Sequence, residues 1–357
     1  MKTAIIAVTG GGAELARRLA ESMPESEVFL PEKFRRDDAC HYFSAPLGEI
    51  LPELFAETDG LVCLMATGIV VRLLAPHLRG KDRDPGVVVA DEEGRFAISL
   101  LSGHLGGGNE LAGRVAAATG GQAVITTATD VNELPAWDDV ARRENMAVEP
   151  LENIRILNSL LIEGRPIALV DRRQRVAAYF IGVPSVRPVR NFIDPAVDSA
   201  AGRVFVTHRL VPHSERHGAL LLLRPRDLVV GLGCNRGTSS EEIAEAIEKV
   251  MSEAFLSTSS IRCLTTIAAK RDEQGINDYA SCAGLPLEYH AAAVLNRVKG
   301  SSPPSGHALR AVGASGVCEP AAILSARDGR LLVRKQKHGN VTVAVAELNP
   351  LFIKSEG

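Results

Sequence analysis

β-Branched runs alternate with Ala/Leu-rich amphipathic stretches at both ends of this chain. Near the start, AIIAV precedes residues 13–22 and LVCLM precedes residues 69–78, both at helical spacing. The segment 227–251 repeats the order as a strand, a glycine loop and a helix, with Thr238 and Glu241 spaced as a capping box. Such alternation predicts sheets covered by layers of helices. The sequence therefore predicts an α/β fold.

One segment departs from this simple alternation. VVVADEEGRFAISLL, residues 87–101, has two apolar runs around a polar turn, which predicts a hairpin and a mixed sheet. Residues 131–225 are richer in Pro and Arg, with PIALVD, VAAYFIGV, GRVFVTH and GALLLL as strand candidates. We predict an N-terminal layered α/β domain (1–130), a small α/β linking domain (131–225) and a C-terminal layered α/β domain (226–357), the end domains having mixed sheets.

Composition and charge exclude several classes of partner. The 357 residues carry a net charge of −3 and 4% aromatic residues, without an Arg/Lys-dense segment, so we predict no nucleic-acid partner. The apolar run near residue 1 ends at glycines, and no apolar stretch reaches the length of a membrane span. We expect a cytoplasmic protein with no membrane partner. The six cysteines have no metal-ligand spacing and are expected to be free thiols.

Glycine motifs for common cofactors are incomplete. The run from Gly10 ends in Leu15 and the run from Gly231 ends in Arg236, where a dinucleotide fingerprint needs glycine or alanine. A P-loop and a serine-hydrolase elbow are absent from the sequence. An α/β oxidoreductase is therefore not supported. His208, His213 and His217 cluster, but their polar, proline-containing surroundings favour a solvated loop, and we predict no protein-bound metal.

The most informative loop runs from Ser102 to Asn109, Ser-Gly-His-Leu-Gly-Gly-Gly-Asn, between a predicted strand (96–101) and a predicted helix (110–119). Glycines allow a ligand to approach the backbone, Asn109 is suited to cap the helix, and His104 can transfer protons near neutral pH. The alternative is a turn with a partly buried histidine. The loops at 66–68, 126–130 and 233–239 would share a cleft with His104 only if the strands before them run the same way.

Several distinctive motifs follow one another along the chain. The N-terminal ones lie within residues 66–130 and include SGHLGGGNELAG and ITTATD, and the C-terminal ones are GLGCNRGTSSEEI, AAKRDEQGINDYASCAGLPL, GVCEPAAILSA and LLVRKQK. In this order they resemble the CbiG family of the anaerobic cobalamin (vitamin B12) pathway. The resemblance covers essentially the whole chain and is weakest in the middle. It implies hydrolytic opening of a δ-lactone on a cobalt-containing tetrapyrrole, cobalt-precorrin-5A, with loss of two carbons as acetaldehyde.

Lactone hydrolysis requires a base, an acid and a stabiliser of the oxyanion. With the resemblance, we predict a catalytic set of His104, Asn109 and Glu319. N–H groups of residues 106–109 are candidate oxyanion donors, and Asp91 and Asp130 are candidate orienters. Lys81, Arg83 and Lys335 are further candidate cations for a polycarboxylate substrate. The predicted substrate-binding residues are Thr67, Gly68, Arg72, Gly106, Gly107, Thr126, Thr127, Asp130, Arg236, Thr238 and Lys270.

The resemblance also implies that cobalt arrives inside the tetrapyrrole substrate, so we expect the protein itself to bind no cofactor. A homodimer and transient contacts with neighbouring pathway enzymes are compatible with the sequence. The competing hypothesis is a non-catalytic tetrapyrrole carrier of the same pathway. The carrier would need the same cationic surface but would release no acetaldehyde.

Overall fold

The structure is a computed structural model that describes residues 2–80, 83–212, 218–298, 309 and 313–352. Its strands pair in three sheets, each containing both parallel and antiparallel neighbours, with helices packed on them. This confirms the predicted α/β class and the mixed sheets. The chain divides into two compact units, residues 1–142 with 161–163, and residues 143–160 with 164–357. Among the described residues, no helix has the length and apolar character that a membrane span needs.

The first unit contains a seven-stranded sheet in the order β3-β2-β1-β4-β5-β6-β7. Its strands are β1 Thr3–Ala7, β2 Ser26–Pro31, β3 His41–Phe43, β4 Gly60–Leu64, β5 Gly86–Ala90, β6 Phe96–Leu101 and β7 Gln122–Val124. Its helices are α1 Gly10–Ser22, α2 Leu47–Glu57, α3 Thr67–Leu74, α4 Gly108–Thr119, α5 Ala128–Val131 and α6 Trp137–Arg143.

Alternate residues of these strands enter two separate cores. Ile5 packs with α1 and α4 on one face, and its neighbour Ile6 packs with α2 and α3 on the other. Successive strand side chains point to opposite faces, so a strand buried on both faces is continuously apolar. This accounts for runs such as AIIA and VVVA.

The hairpin predicted at 87–101 is present and reverses the sheet. β5 pairs antiparallel with β6, and β6 pairs parallel with β7, so β6 and β7 run opposite to β1 to β5. The loops after β6 and β7 therefore lie at the edge where β5 begins. An ideal Cβ on Gly86 at the start of β5 would lie 2.5 Å from the carbonyl oxygen of Gly106, which places the two segments in contact.

The second unit begins with the sheet of the predicted linking segment, in the order β10-β9-β11-β12-β8. β8 is antiparallel to β12 and the other neighbours are parallel. The elements are β8 Met146–Glu149, α7 Glu152–Ile162, β9 Ile167–Asp171, β10 Val186–Val189, α8 Pro195–Ser199, β11 Gly202–Val206 and β12 Leu220–Pro225. The strand predictions for PIALVD, GRVFVTH and GALLLL are confirmed.

The strand prediction for VAAYFIGV is wrong. Residues Ala177–Phe180 form a 3₁₀ turn, because the carboxylate of Asp171 accepts the N–H groups of Val176 and Ala177 at 2.6 and 3.0 Å. A side-chain acceptor that takes these donors favours a turn over a strand ladder.

The C-terminal sheet has the order β15-β14-β13-β17-β16. Its elements are β13 Leu228–Cys234, α9 Ser240–Glu253, β14 Ile261–Ile267, α10 Gln274–Ala283, β15 Leu287–His290, α11 Ala292–Leu295, α12 Cys318–Ser325, β16 Arg330–His338 and β17 Val341–Glu347. β16 pairs antiparallel with β17 in a C-terminal hairpin. The capping prediction is one residue early, since the hydroxyl of Ser239 accepts the N–H of Glu242 at 3.2 Å, whereas the Thr238 hydroxyl donates to the carbonyl of Asn235.

Candidate active site

The glycine loop turns the chain from β6 into α4. Gly107 is the N-cap with φ of +77°, a conformation that costs L side chains energy. A Cβ on Gly103 would lie 2.5 Å from Oδ1 of Asn109, so this position has no room for a side chain. Asn109 is therefore not the N-cap as predicted but the second residue of α4. Its amide is directed away from the helix end and toward the side chains after β7.

Three of the four N–H groups predicted as oxyanion donors are already bonded within the loop. Gly107 donates to the carbonyl of His104 at 2.9 Å, Gly108 to Ser102 at 3.0 Å and Asn109 to Gly103 at 2.9 Å. These bonds give the loop its shape. These three N–H groups are therefore not free to donate to a ligand.

The imidazole of His104 lies between two carboxylates. Nε2 is 2.8 Å from Oδ2 of Asp130, in α5, and Nδ1 is 3.3 Å from Oδ1 of Asp138, in α6. The side chains of His104 and Asp138 are 13% and 6% exposed, whereas Asp130 is 38% exposed. One carboxylate thus anchors the ring from inside the protein, and the other faces solvent.

This arrangement makes His104 a cation at neutral pH. Burial opposes the charged imidazole, but the hydrogen bonds and negative charges of Asp138 and Asp130 outweigh burial and raise the pKa of His104 to about 9. Burial likewise opposes the charged form of Asp130, but hydrogen bonds from Thr127 and His104 prevail and lower the pKa of that carboxyl. The site therefore holds an imidazolium paired with an ionised carboxylate.

Asp130 is oriented by a network of donors. Nδ2 of Asn109 donates to Oδ2 of Asp130 at 3.1 Å and to Oγ1 of Thr127 at 2.9 Å. The hydroxyl of Thr127 makes a short hydrogen bond to the same carboxylate oxygen. Ser99 donates to Oδ1 of Asn109 at 2.7 Å, which fixes the amide. With His104, three side chains converge on one oxygen of Asp130.

Asp138 is the site residue that the sequence analysis missed. The boundary predicted at residue 130 places it in the linking domain, whereas Trp137 and Asp138 are both buried within the first unit. The signal is a polar residue inside the apolar helical pattern of Ala136, Trp137, Val140 and Ala141. A carboxylate in such a pattern is buried, and buried carboxylates have partners.

The structure brings together only part of the predicted binding set. Gly106, Gly107, Thr126 and Thr127 lie on the loops after β6 and β7, and Asp130 lies in α5 just beyond them, at the edge that holds His104. Thr67 and Gly68 follow β4, which runs the other way, so they and Arg72 lie at the opposite edge. The cleft that would join all these loops is therefore not formed. Asp91 accepts N–H groups of Glu93, Arg95 and Phe96 and shapes the hairpin turn. Lys81, His213 and His217 lie outside the described residues.

The remaining predicted residues belong to the second unit. Nζ of Lys270 is 2.8 Å from Glu273, which also accepts the N–H of Gly237, and Arg236 is exposed on the same loop. Glu319 is buried in the first turn of α12 and accepts the N–H of Lys335 at 2.8 Å. Their binding and catalytic roles stay predictions.

An exposed carboxylate, a protonated imidazole and a buried carboxylate in contact form an acid–base centre. Fold and site together thus define a chain of the α/β class with a histidine held between two carboxylates at one edge of its first sheet.

Three family profiles match the chain in order. They are described as Cobalamin synthesis G N-terminal, over residues 49–130, Cobalamin biosynthesis central region, over 135–225, and Cobalamin synthesis G C-terminus, over 228–346. A curated protein of Priestia megaterium named cobalt-precorrin-5A hydrolase is 36% identical over 354 residues, which cover 96% of this chain and 94% of that protein.

A protein of the same name from Salmonella typhimurium is 31% identical over 350 residues, which cover 96% of each chain. The crystal structure of CobE, described as a protein from the cobalamin biosynthetic pathway, is 34% identical and aligns with a TM-score of 0.33, covering 34% of this chain and 90% of that one. The chain belongs to the CbiG family.

Proposed function

We propose that this chain is a cobalt-precorrin-5A hydrolase and that His104, Asp130 and Asp138 carry out its proton transfers. The 36% identity to a hydrolase of that name, over nearly the full length of both chains, supports the reaction. The geometry at His104 supports the site, because an imidazole between two carboxylates can donate and recover a proton without leaving its place.

In the proposed reaction, water attacks the carbonyl carbon of the δ-lactone. Asp130 accepts a proton from this water, and the imidazolium of His104 stabilises the oxygen that becomes negative. When the ring C–O bond breaks, His104 donates its Nε2 proton to the departing oxygen. Asp130 then returns a proton to Nε2 across the 2.8 Å contact, which restores the starting state. The freed hydroxyl then loses its proton as its C–O bond becomes a carbonyl. The C–C bond to the macrocycle breaks, and the macrocycle takes up that electron pair and a proton, which releases acetaldehyde.

Asp138 is the positioning residue in this scheme. Its contact with Nδ1 fixes the orientation of the ring and keeps the second ring proton in place, so that Nε2 is the atom that exchanges protons. Asn109 and Thr127 position Asp130 in the same way. Cobalt belongs to the substrate, and none of these steps requires a metal or cofactor held by the protein. A cytoplasmic location, a homodimer and contacts with neighbouring enzymes remain proposals.

The test is conversion of cobalt-precorrin-5A by the purified full-length chain under anaerobic conditions, with EDTA present and without nucleotide. One acetaldehyde per substrate is expected, measured by derivatisation and chromatography, together with the mass change of the tetrapyrrole. A carrier would bind the substrate and release no acetaldehyde. A strict requirement for NAD, ATP or free zinc would also contradict the proposal.

A further inference from the structure

A cavity of about 390 Å³ lies in the second unit, where β9 and β11 end. β9 and β11 are neighbouring parallel strands. The chain after β9 crosses to β10 on one side of this pair, and the chain after β11 crosses to β12 on the other side. In open α/β sheets, ligands bind at such a switch in strand order, beyond the carboxyl ends of the strands. The cavity therefore occupies the place where this sheet is most suited to hold a ligand.

Guanidinium groups dominate the cavity wall. Five arginines line it, against three carboxylates, so the guanidinium groups outnumber the carboxylates by two. The arginines are Arg172, Arg173, Arg175, Arg209 and Arg330, and the acids are Asp171, Asp227 and Glu347. Planar guanidinium groups bind carboxylate and phosphate oxygens in pairs of parallel hydrogen bonds.

The three carboxylates are already engaged by the protein. Asp171 accepts backbone N–H groups of its own loop. Asp227 and Glu347 are almost fully buried, and both contact the guanidinium of Arg173, at 3.2 Å for Asp227 and closer for Glu347. Arg330 contacts the other oxygen of Glu347 at 3.1 Å. The acids thus hold arginines in the wall and leave little negative charge facing the cavity.

A cation site is the alternative at this place. Nδ1 of His208 lies 3.0 Å from Asp227 and 3.6 Å from Glu347, and these three residues are close enough to share a metal ion. However, Arg173 already bridges the two carboxylates, so a metal ion would have to displace a guanidinium and would then face four more arginines. The charge distribution favours an anion.

Arg172 and Arg209 are available to bind such an anion. Arg172 is exposed and makes no ion pair or hydrogen bond with another residue in the described part of the chain. Arg209 uses Nη1 to donate to the carbonyl of Ala254 at 3.0 Å, which fixes its position without neutralising its charge. The two cations therefore stand on the cavity wall without a carboxylate partner among the described residues.

We propose that this cavity binds a small ligand with two or more anionic oxygens, either a polycarboxylate or a phosphate-bearing compound. Its volume is at the lower end of the ~300–1,000 Å³ typical of ligand sites, which suits a molecule the size of citrate rather than a tetrapyrrole. The residues that line this cavity all belong to the second unit, whereas His104 belongs to the first, so the two sites share no residue.

Calorimetric titration of the full-length chain with pyrophosphate and with citrate, at constant ionic strength, tests the proposal. Saturable binding of either probe is expected. Binding of pyrophosphate alone identifies a phosphate-bearing ligand, and binding of citrate alone identifies a polycarboxylate. Arg172→Ala should weaken binding by about tenfold or more, since a charged hydrogen bond contributes ~1.5–3 kcal/mol. Circular dichroism verifies that the variant is folded.

Arg155→Ala is the matched control, because Arg155 is an exposed arginine of the same unit that does not line the cavity. It should bind within twofold of the wild type. Equal weakening in both variants, or no saturable binding of either probe, would overturn the proposal. So would binding of Mn²⁺ or Zn²⁺ alone that is lost in His208→Gln. Acetaldehyde release measured without added anion reports on the hydrolase separately.

Discussion

Nδ1 of His104 lies 3.3 Å from the buried carboxylate of Asp138, and this contact connects the glycine loop of one helix to the first turn of another. It holds the imidazole by the nitrogen that faces the protein interior. The other nitrogen faces Asp130 at the more exposed side of the site. One ring nitrogen thus contacts a buried carboxylate and the other an exposed one.

Replacement of Asp138 should lower the basicity of His104. In Asp138→Asn the negative charge beside Nδ1 is lost, so the pKa of His104 should fall from about 9 toward its ordinary value, and turnover should fall with it. An NMR titration of the imidazole measures the pKa, and initial rates measure turnover. Asp139→Asn is the matched control, because Asp139 pairs with Arg142 instead of His104. Similar effects of both substitutions would contradict the role of Asp138.

Replacement of His104 should remove proton transfer and keep substrate binding. His104→Asn should reduce turnover by roughly 10² to 10⁴, with a much smaller change in substrate Kd. His77→Asn, at an exposed histidine of the same unit, should have no comparable effect. Near wild-type turnover in His104→Asn would leave the loop a structural turn. Loss of turnover only because the variant unfolds would likewise leave the loop a structural turn. Denaturation curves show whether the variant is folded.

Activity should also follow the ionisation of His104. In the proposed mechanism the imidazolium is the reacting acid, so the rate should decline as the pH rises through about 9. In Asp138→Asn this decline should begin at lower pH. A wild-type rate that instead rises between pH 6 and 8, with a midpoint near the ordinary histidine pKa, would indicate that neutral His104 acts as a base.

The stability of the protein should change over the same pH interval. The pKa of His104 is raised on folding from about 6.5 to about 9, so the folded state binds the proton more tightly. This contribution to the free energy of unfolding is fully present below pH 6.5 and is lost as the pH rises through 9. Denaturant titrations at several pH values should show that His104→Asn lacks this decline. A parallel decline in both proteins would assign it to other groups.

Alanine at Gly107, the N-cap of α4, and at Gly113, inside α4, should change the stability of the protein in opposite directions. Gly107→Ala places a side chain at φ of +77° and should destabilise the protein by about 1 to 2 kcal/mol. Gly113→Ala lies inside α4, where an added Cβ meets no atom within 4 Å, and should stabilise it by about 0.5 to 1 kcal/mol. Thermal denaturation compares them. Equal effects would show that backbone conformation does not determine the need for glycine in the loop.

Much of this architecture follows from patterns that are local in sequence. Apolar runs identify strands such as Thr3–Ala7, and the two runs around residues 91–95 identify the hairpin that reverses the sheet. His104 and Asp130 are detectable because both follow strands within small, polar loops. Local pattern fails at Ala177–Phe180, where the carboxylate of Asp171 redirects the backbone.

The contact between His104 and Asp138 could not be predicted in the same way. It depends on how α6 packs against the first unit, and helical periodicity does not specify a packing partner. The loss of the cleft shared with Thr67 and Gly68 follows from strand direction. The predicted hairpin made the shared cleft conditional on strand direction. The strand pairing shows that this condition is not met.

The change of strand direction between β5 and β6 places the loops that follow the strands at two opposite edges of one sheet. A sheet of uniformly parallel strands directs all its carboxyl-end loops to one side, so a change in any of them disturbs its neighbours. Here the loop of Thr67 and the loop of His104 lie at opposite edges of the same sheet. A mutational library can therefore randomise the loop at Thr67 while the residues around His104 are held constant.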